Sequence, residues 1–255
     1  MCTMPLPVRA ANADPMELIN YFSDIPEENI AFDEFILEKA EAGDAGETLR
    51  FWESPEYFVV MGRSGKLREE CVPVNSGREG VRVLRRCSGG GTVLQGPGCV
   101  NYSMILEYPP GESRTDITVS YDRVLGRVAE AFRAHGMNAE VLPLSDLALN
   151  GRKFSGNAQA RKRRYFLHHG TLLLDLDLCR IAKHLKHPPK EPEYRVGREH
   201  LDFLVNLSIS RTEAEDIILE AFPCEGSWRP SADDMRRIKD LARGKYSSEE
   251  WNGCF

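Results

Sequence analysis

No two cysteines in this chain are spaced as Cys-x-x-Cys, and the seven present (2, 71, 87, 99, 179, 224 and 254) are an odd number. Both facts argue against a disulfide framework and a zinc site, and for a reducing compartment. Long apolar runs are also missing: none approaches the ~20 residues that a membrane-spanning helix needs. Residues 1–14 carry prolines and a lone arginine but no extended apolar stretch, which does not match a secretory signal. Internal repeats and low-complexity tracts are absent. The net charge of −6 does not suit a nucleic-acid binder by bulk electrostatics. These absences set the expectation of a soluble, cytoplasmic protein with neither membrane nor nucleic acid as partner.

What is present is ordinary globular composition, 42% hydrophobic over 255 residues, enough for one large domain or one with a small appendage. Charge is uneven: residues 151–198 hold twelve Lys/Arg against four Asp/Glu, a local +8, so one surface is expected to be basic. Residues 1–25 read as an N-terminal arm. A proline and two glutamates open a helix over 26–42, a favourable charge sign for its N-terminus, and Gly43 stops it. Residues 49–61 read as a strand, or a pair broken at Ser54-Pro55. A long helix is expected over 116–135, with Val119, Val124, Leu125, Val128 and Phe132 inward. Strand candidates at 139–144 and 147–149 precede a turn at Asn150-Gly151. Residues 153–159 read as short and polar, and 165–178 as a strand. Helices follow at 178–186, 212–222 and 231–243, with a proline-rich surface loop over 187–194. Interleaved strands and helices fit a mixed α/β or α+β sheet fold.

The most informative stretch is Arg85-Arg86-Cys87-Ser88-Gly89-Gly90-Gly91, between strand candidates at 81–84 and 100–106 that read as a hairpin. Three glycines leave backbone N–H groups unshielded by Cβ atoms, and two arginines at the entrance suit a phosphate or a carboxylate. The run is not a P-loop, since no Gly-Lys-Ser/Thr closes it and a strand follows. A flexible turn is the plain alternative. Further on, Lys153 lies between a turn and Ser155-Gly156. His168 and His169 are adjacent on a strand candidate and so point to opposite faces, which prevents a two-ligand metal face. One is expected to look into a site, the other outward or into packing. Arg161-Lys162-Arg163-Arg164 reads as a solvated loop, or as a contact for a nucleotide phosphate or an acidic protein partner.

Three motifs in this order and spacing carry a resemblance: Arg-Arg-x-Ser-Gly-Gly-Gly at 85–91, Gly-Arg-Lys-x-Ser-Gly-x-Ala-Gln at 151–159, and His-His-Gly-Thr-Leu-Leu at 168–173. Together they resemble the lipoate–protein ligase A family, part of the biotin/lipoyl ligase and octanoyltransferase superfamily. Asn29-Ile30-Ala31-Phe32-Asp33-Glu34 is similar to that family's opening helix, and Trp251-Asn252-Gly253 to the end of its large domain. The resemblance implies an α+β fold of mixed, mostly antiparallel β-sheets flanked by helices. It places a catalytic domain over 26–228 and a short helical tail over 229–255 that completes it. It also implies a two-step reaction, in which lipoate and Mg-ATP give lipoyl-AMP and a lysine of a lipoyl domain then takes the acyl group.

Carried onto this chain, the resemblance makes Lys153 the catalytic cation on the α-phosphate and acyl oxygens. Arg86, Ser88, Gly89, Gly90, Gly91, Thr92 and Val93 would hold the acyl-phosphate region, with Ser155 and Gly156 beside the lysine. His169, Gly170 and Thr171 would line the acyl and adenylate pocket, and Val60, Leu94 and Leu172 would wall the acyl chain. ATP and Mg²⁺ enter as co-substrates and lipoate as substrate, with no tightly bound cofactor and no metal site. Expected partners are lipoyl domains of 2-oxoacid dehydrogenase complexes or glycine cleavage H protein-like acceptors. The basic 151–198 segment would steer an acidic acceptor.

Departures keep alternatives open. The ligases have His-Asp where this chain reads Gln95-Gly96 and Asn where it has Cys99, while Gly96-Pro97-Gly98 is similar to the octanoyltransferase branch. Acyltransferases of the superfamily need a nucleophilic cysteine, and Pro143-Leu144-Ser145-Asp146 holds none where one branch has it. Cys179 reads as packing; Cys87 and Cys99 are the candidates for a thioester. Many ligases carry a C-terminal accessory domain, but this chain ends at Phe255. Adenylation would then need a separate small accessory subunit, or the chain performs only the transfer, or its tail suffices. The other readings are an octanoyltransferase using acyl carrier protein through a cysteine thioester, and a non-catalytic lipoate- or nucleotide-binding relative.

Overall fold

Alternation along one central strand divides the molecule into two faces. The computed structural model describes residues 15–73, 80–143 and 145–253. Its strands are β1 (Met16–Ile19), β2 (Thr48–Trp52), β3 (Phe58–Met61), β4 (Arg82–Arg85), β5 (Val93–Gln95), β6 (Cys99–Glu107), β7 (Ala139–Leu142), β8 (Asp146–Leu149), β9 (Arg152–Arg161), β10 (Tyr165–Leu173) and β11 (Cys224–Trp228). Eight of them form one sheet in the order β11-β1-β2-β6-β10-β9-β8-β7, and the other three form a second, β4-β3-β5. β1 runs parallel to β11 and β2, and β3 parallel to β4; the remaining pairs are antiparallel.

Helices α1 (Pro26–Ala42), α2 (Leu67–Glu70), α3 (Ile117–Ala134), α4 (Leu178–His184), α5 (His200–Phe203), α6 (Arg211–Ala221), α7 (Ala232–Leu241) and α8 (Glu249–Gly253) flank the sheets. On β6, Val100, Tyr102, Met104 and Leu106 join one core with Val124, Val128 and Phe132 of α3 and Ile217 of α6. The period-2 pleat turns Asn101, Ser103 and Ile105 the other way, Ser103 and Ile105 toward α1 and Asn101 onto Gln95 of β5. Pro26 and Glu27-Glu28 open α1, and Gly43, at φ 89°, closes it in the left-handed conformation. The expected mixed, mostly antiparallel α+β fold is the one found.

Several elements differ from expectation. Residues 1–14 of the expected arm, with Cys2, lie outside the described residues, as does Cys254. Met16–Ile19 of that arm is instead a strand inside the large sheet. It and β11, which reads Cys-Glu-Gly-Ser-Trp, are too short or too polar to show a strand period, and exist through pairing with each other and with β2. The glycine run does not turn a hairpin, because β4 and β6 belong to different sheets and β5 intervenes. The polar stretch 153–159 lies within β9, whose Ser155, Asn157 and Gln159 are buried and hydrogen-bonded. Val119 is 52% exposed; nine residues from Val128, it sits half a turn around α3 at ~100° per residue.

His168 takes the packing role, fully buried against the Tyr102 and Tyr121 rings, with the Gln159 amide on Nδ1 at 3.0 Å. Burial, helped by His169, Arg161 and Arg123, drives its pKa down to about 3. The unfolded chain therefore binds a proton that the folded chain refuses, so stability is complete above ~6.5 and falls as pH drops through the window toward 3. Urea midpoints of wild type and His168→Gln, compared between pH 7.5 and pH 5, should show the steeper acid loss in wild type. Parallel pH curves would contradict this.

Candidate functional site

Cross-strand register builds the floor of the site. Trp52 on β2, Asn101 on β6 and Thr171 on β10 are direct neighbours. The row continues through Gly156, whose N–H reaches the Thr171 hydroxyl at 3.4 Å and which pairs with Asp146 on β8. The adjacent row runs Arg50, Ser103, His169 and Ala158. A cavity of about 290 Å³ lies over these rows. Of the expected site residues, Arg86, Gly90, Gly91, Thr92, Val93, Lys153, Gly156, His169, Gly170 and Thr171 line it; Ser88, Gly89 and Ser155 do not.

Lys153 faces the cavity because the β8–β9 register shifts between Leu147 and Ala148. Without that bulge, strict alternation would put Lys153 and Gly156 on opposite faces; the extra residue turns them to the same side. Phe154 then drops into the core against the Phe132 ring, with 5.2 Å between centroids. Lys153 Nζ lies 2.7 Å from Asp146 Oδ1, and the Tyr194 hydroxyl donates to Asp146 Oδ2 at 2.7 Å. Burial and the neighbouring Asp146 carboxylate push the Tyr194 phenol far up, so it stays a donor. The ammonium rests over bare backbone: a Cβ on Gly156 would sit 2.7 Å from Nζ.

The glycine run is shaped by Arg86. This buried guanidinium donates from Nε to Ser88 Oγ (2.9 Å), from Nη1 to the Val60 carbonyl (3.3 Å), and from Nη2 to the Gly89 (2.6 Å) and Gly91 (2.9 Å) carbonyls. Burial lowers its pKa only to about 10, so it remains a cation at neutral pH. Arg86 thus spends its donors on the loop and strand β3. Gly90, at φ 85°, fits beside Gly62, where any Cβ would stand 1.9 Å from the Gly90 oxygen.

His169 is the histidine that looks into the site. Its Nδ1 is 3.0 Å from Asp33 Oδ2 and its Nε2 2.7 Å from Ser88 Oγ, which ties β10 to the glycine run. Asp33 also pairs with Arg50 at 3.1 Å and accepts from Ser103 Oγ at 2.9 Å. Gln95 and Asn101 exchange two amide hydrogen bonds, 2.8 and 2.9 Å, where this chain departs from the ligase pattern. Thr92 Oγ1 donates to Glu70 at 2.5 Å.

Sequence reasoning missed Asp33, Glu70, Asp146 and Tyr194. Asp33 carried a signal, a carboxylate on the apolar side of α1. Glu70 and Tyr194 carried none, since only the tertiary fold brings them to the cavity. Among the expected walls, Val60 and Leu94 line the cavity but Leu172 does not: it faces the α3 core, and its pleat neighbour Leu173 replaces it.

The cysteine expectations change as well. Cys87 and Cys99 lie outside the cavity lining, and burial pushes each thiol up to about 12, Cys87 with help from Glu34 and Asp33 and Cys99 from Glu53. Cys179 is exposed rather than packed. It sits two residues, ~200° around the helix, from Ile181, the buried residue of α4. The tract at 161–164 does not reach the cavity: Lys162 pairs with Glu38, Arg163 with Glu41 and Arg164 with Glu107. These are surface pairs, and the Arg163 side chain is 86% exposed, so the tract lies apart from the cavity as a solvated basic segment. The cations that line the cavity with Lys153 are Lys186, Lys190, Arg195 and Arg86.

Residues 25–222 match the lipoyl protein ligase A/B catalytic domain. A probable lipoate-protein ligase A of Mycoplasma pneumoniae is 30% identical over 162 residues, covering 64% of this chain and 46% of its own length. The chain therefore spans about half of that relative. Octanoyltransferase LipM of Geobacillus kaustophilus is 26% identical, covering 89% of this chain and 94% of its own. In fold, the chain is similar to a bipartite lipoate protein ligase solved in a study of Thermoplasma acidophilum lipoylation, with TM-score 0.79 at 22% identity, over 96% of this chain and 98% of that one. The family match covers most of the chain, glycine run and Lys153 included: the chain belongs to the lipoyl protein ligase A/B catalytic domain family.

Proposed function

We propose that the chain is a lipoate–protein ligase: it activates lipoate or octanoate with ATP and transfers the acyl group to a lysine of a lipoyl domain. The observation that carries this reading is Lys153, turned into the cavity by a bulge and held by Asp146 over bare backbone. In the first step the acyl carboxylate attacks the α-phosphorus and pyrophosphate leaves. In the second, the acceptor amine attacks the acyl carbonyl, AMP leaves, and the amine proton passes to solvent. Both steps build negative charge on oxygens that a fixed ammonium stabilises.

The cavity dimensions support an acyl chain. Gly156 to Trp52 spans three strand spacings, roughly 14 Å at about 4.8 Å each, which accommodates an eight-carbon chain with its carboxylate at Lys153. Val60, Leu94 and Leu173 supply apolar wall, and Lys186, Lys190 and Arg195 supply positive charge for the nucleotide phosphates. In this reading Mg²⁺ enters on the nucleotide phosphates as part of the co-substrate. The five described cysteines are free, which fits a cytoplasmic location. Lipoyl domains of 2-oxoacid dehydrogenase complexes and glycine cleavage H protein-like acceptors are the proposed partners, and a separate accessory subunit is proposed wherever adenylation proves limiting.

The second reading, an octanoyltransferase drawing on acyl carrier protein, has in its favour the long match to an octanoyltransferase and Gly96-Pro97-Gly98. Against it stand the position and raised pKa of Cys87 and Cys99, since the thiolate is the nucleophile.

The mass of an apo lipoyl domain, followed with lipoate plus Mg-ATP, with lipoyl-AMP and with octanoyl-acyl carrier protein, tests the choice. Modification by the first two donors is expected. Lipoyl-AMP alone would assign adenylation to a separate subunit, and the carrier protein alone would overturn the ligase reading. Lys153→Ala should lower the rate from lipoyl-AMP by about 10²–10³-fold; full activity would remove Lys153 from the mechanism. Gly156→Ala, which displaces the ammonium without removing it, should cost on the order of 10–100-fold. Cys87→Ser and Cys99→Ser should remain largely active, and a folded but inactive variant would revive the thioester route.

A further inference from the structure

The arginine before Arg86 is bound in a way that the site chemistry does not explain. Arg85 is fully buried, and among the described residues its guanidinium donates to five backbone carbonyls. Three belong to the turn after β3: Gly62 (3.1 Å), Arg63 (3.0 Å) and Gly65 (2.7 Å). Two belong to α8: Trp251 (3.0 Å) and Asn252 (3.1 Å). Its backbone is tied to the same helix, for the Arg85 N–H donates to Asn252 Oδ1 at 2.8 Å and Trp251 Nε1 donates to the Arg85 carbonyl at 2.8 Å. Two residues from the far end of the chain thus hold one residue through four hydrogen bonds.

The turn on the other side of Arg85 is the glycine run's own support. The Arg63 N–H donates to the Ser88 carbonyl at 2.8 Å, and Gly62 lies against the Gly90 oxygen with no room for a Cβ. The Arg86 N–H donates to the Met61 carbonyl at 3.0 Å. Glycine contributes no side-chain packing and carries the largest backbone entropy, so the shape of 88–91 must be imposed from outside. Arg86 does so from within the site, and Arg85 from behind it.

We infer that Trp251 and Asn252 are positioning residues: α8 latches Arg85 and the 62–65 turn, and through them holds the glycine run in the shape that lines the cavity. The latch stands on geometry alone. Its consequence for acyl substrate rests on the ligase reading above.

Amide hydrogen exchange on the full chain decides the matter without reference to activity. Asn252→Ala should speed exchange at 88–93 by about tenfold or more while β6 and α3 keep their protection. Trp251→Phe keeps an aromatic ring beside Tyr246 and Lys245 but loses the bond to the Arg85 carbonyl, and should show the same local effect in weaker form. It also serves if Asn252→Ala does not fold. Glu249→Ala, exposed on the same helix, is the control and should change nothing. Unchanged exchange at 88–93 in the latch variants, or a uniform rise over the whole chain, would overturn the inference. With substrates, the latch variants should raise KM for the acyl acid several-fold and leave kcat within about twofold. Wild type inactive with every donor would count against the ligase reading, and the exchange result would still judge the latch.

Discussion

A cation held over a strip of backbone without side chains is the constraint on which the rest of the site depends. Lys153 reaches the cavity only because β9 carries one extra residue opposite Leu147 and Ala148. It stays there because Asp146 fixes it from below, Tyr194 fixes Asp146, and Gly156 leaves room above the chain. Shift any of these and a charge remains in the neighbourhood, but not at one place. In the proposed mechanism this is preorganised charge, which would act on developing negative charge without further rearrangement.

The glycine run is the complementary half. Its backbone is available to a ligand because it has no Cβ atoms, and for the same reason it cannot hold its own shape. The chain resolves this with buried arginines that donate to carbonyls, Arg86 within the loop and Arg85 behind it. Buried guanidinium groups are costly unless their donors are satisfied. Here the loop and the C-terminal helix satisfy them, and loop geometry is coupled to elements far away in sequence.

Much of this was legible in the sequence where a local pattern carried it. The 3.6-residue period of α1 and α3 and the pleat of β6 and β10 led to a mixed sheet-and-helix fold and to one of the two histidines facing a site; Lys153, and His169 rather than His168, came from the resemblance that the three motifs carry. What escaped was whatever depends on distant partners. β1 and β11 are strands only because they pair with each other and with β2. Leu172 and Leu173 differ by one step of the pleat, and no local cue says which of them faces the cavity. The local +8 over 151–198 looked like one basic surface, but residues 162–164 stand beside Glu38, Glu41 and Glu107, carboxylates brought there by α1 and β6. Charge counted along a chain is not charge displayed on a surface.

Ligases and octanoyltransferases share this scaffold, and what separates them is how the acyl group is activated. The direct test is lipoate-dependent exchange of labelled pyrophosphate into ATP by the purified chain, because only reversible formation of an acyl-adenylate produces it. The account predicts exchange that requires both lipoate and Mg²⁺. Absence of exchange with lipoate and octanoate alike, in a chain that still acylates a lipoyl domain from acyl carrier protein, would contradict it.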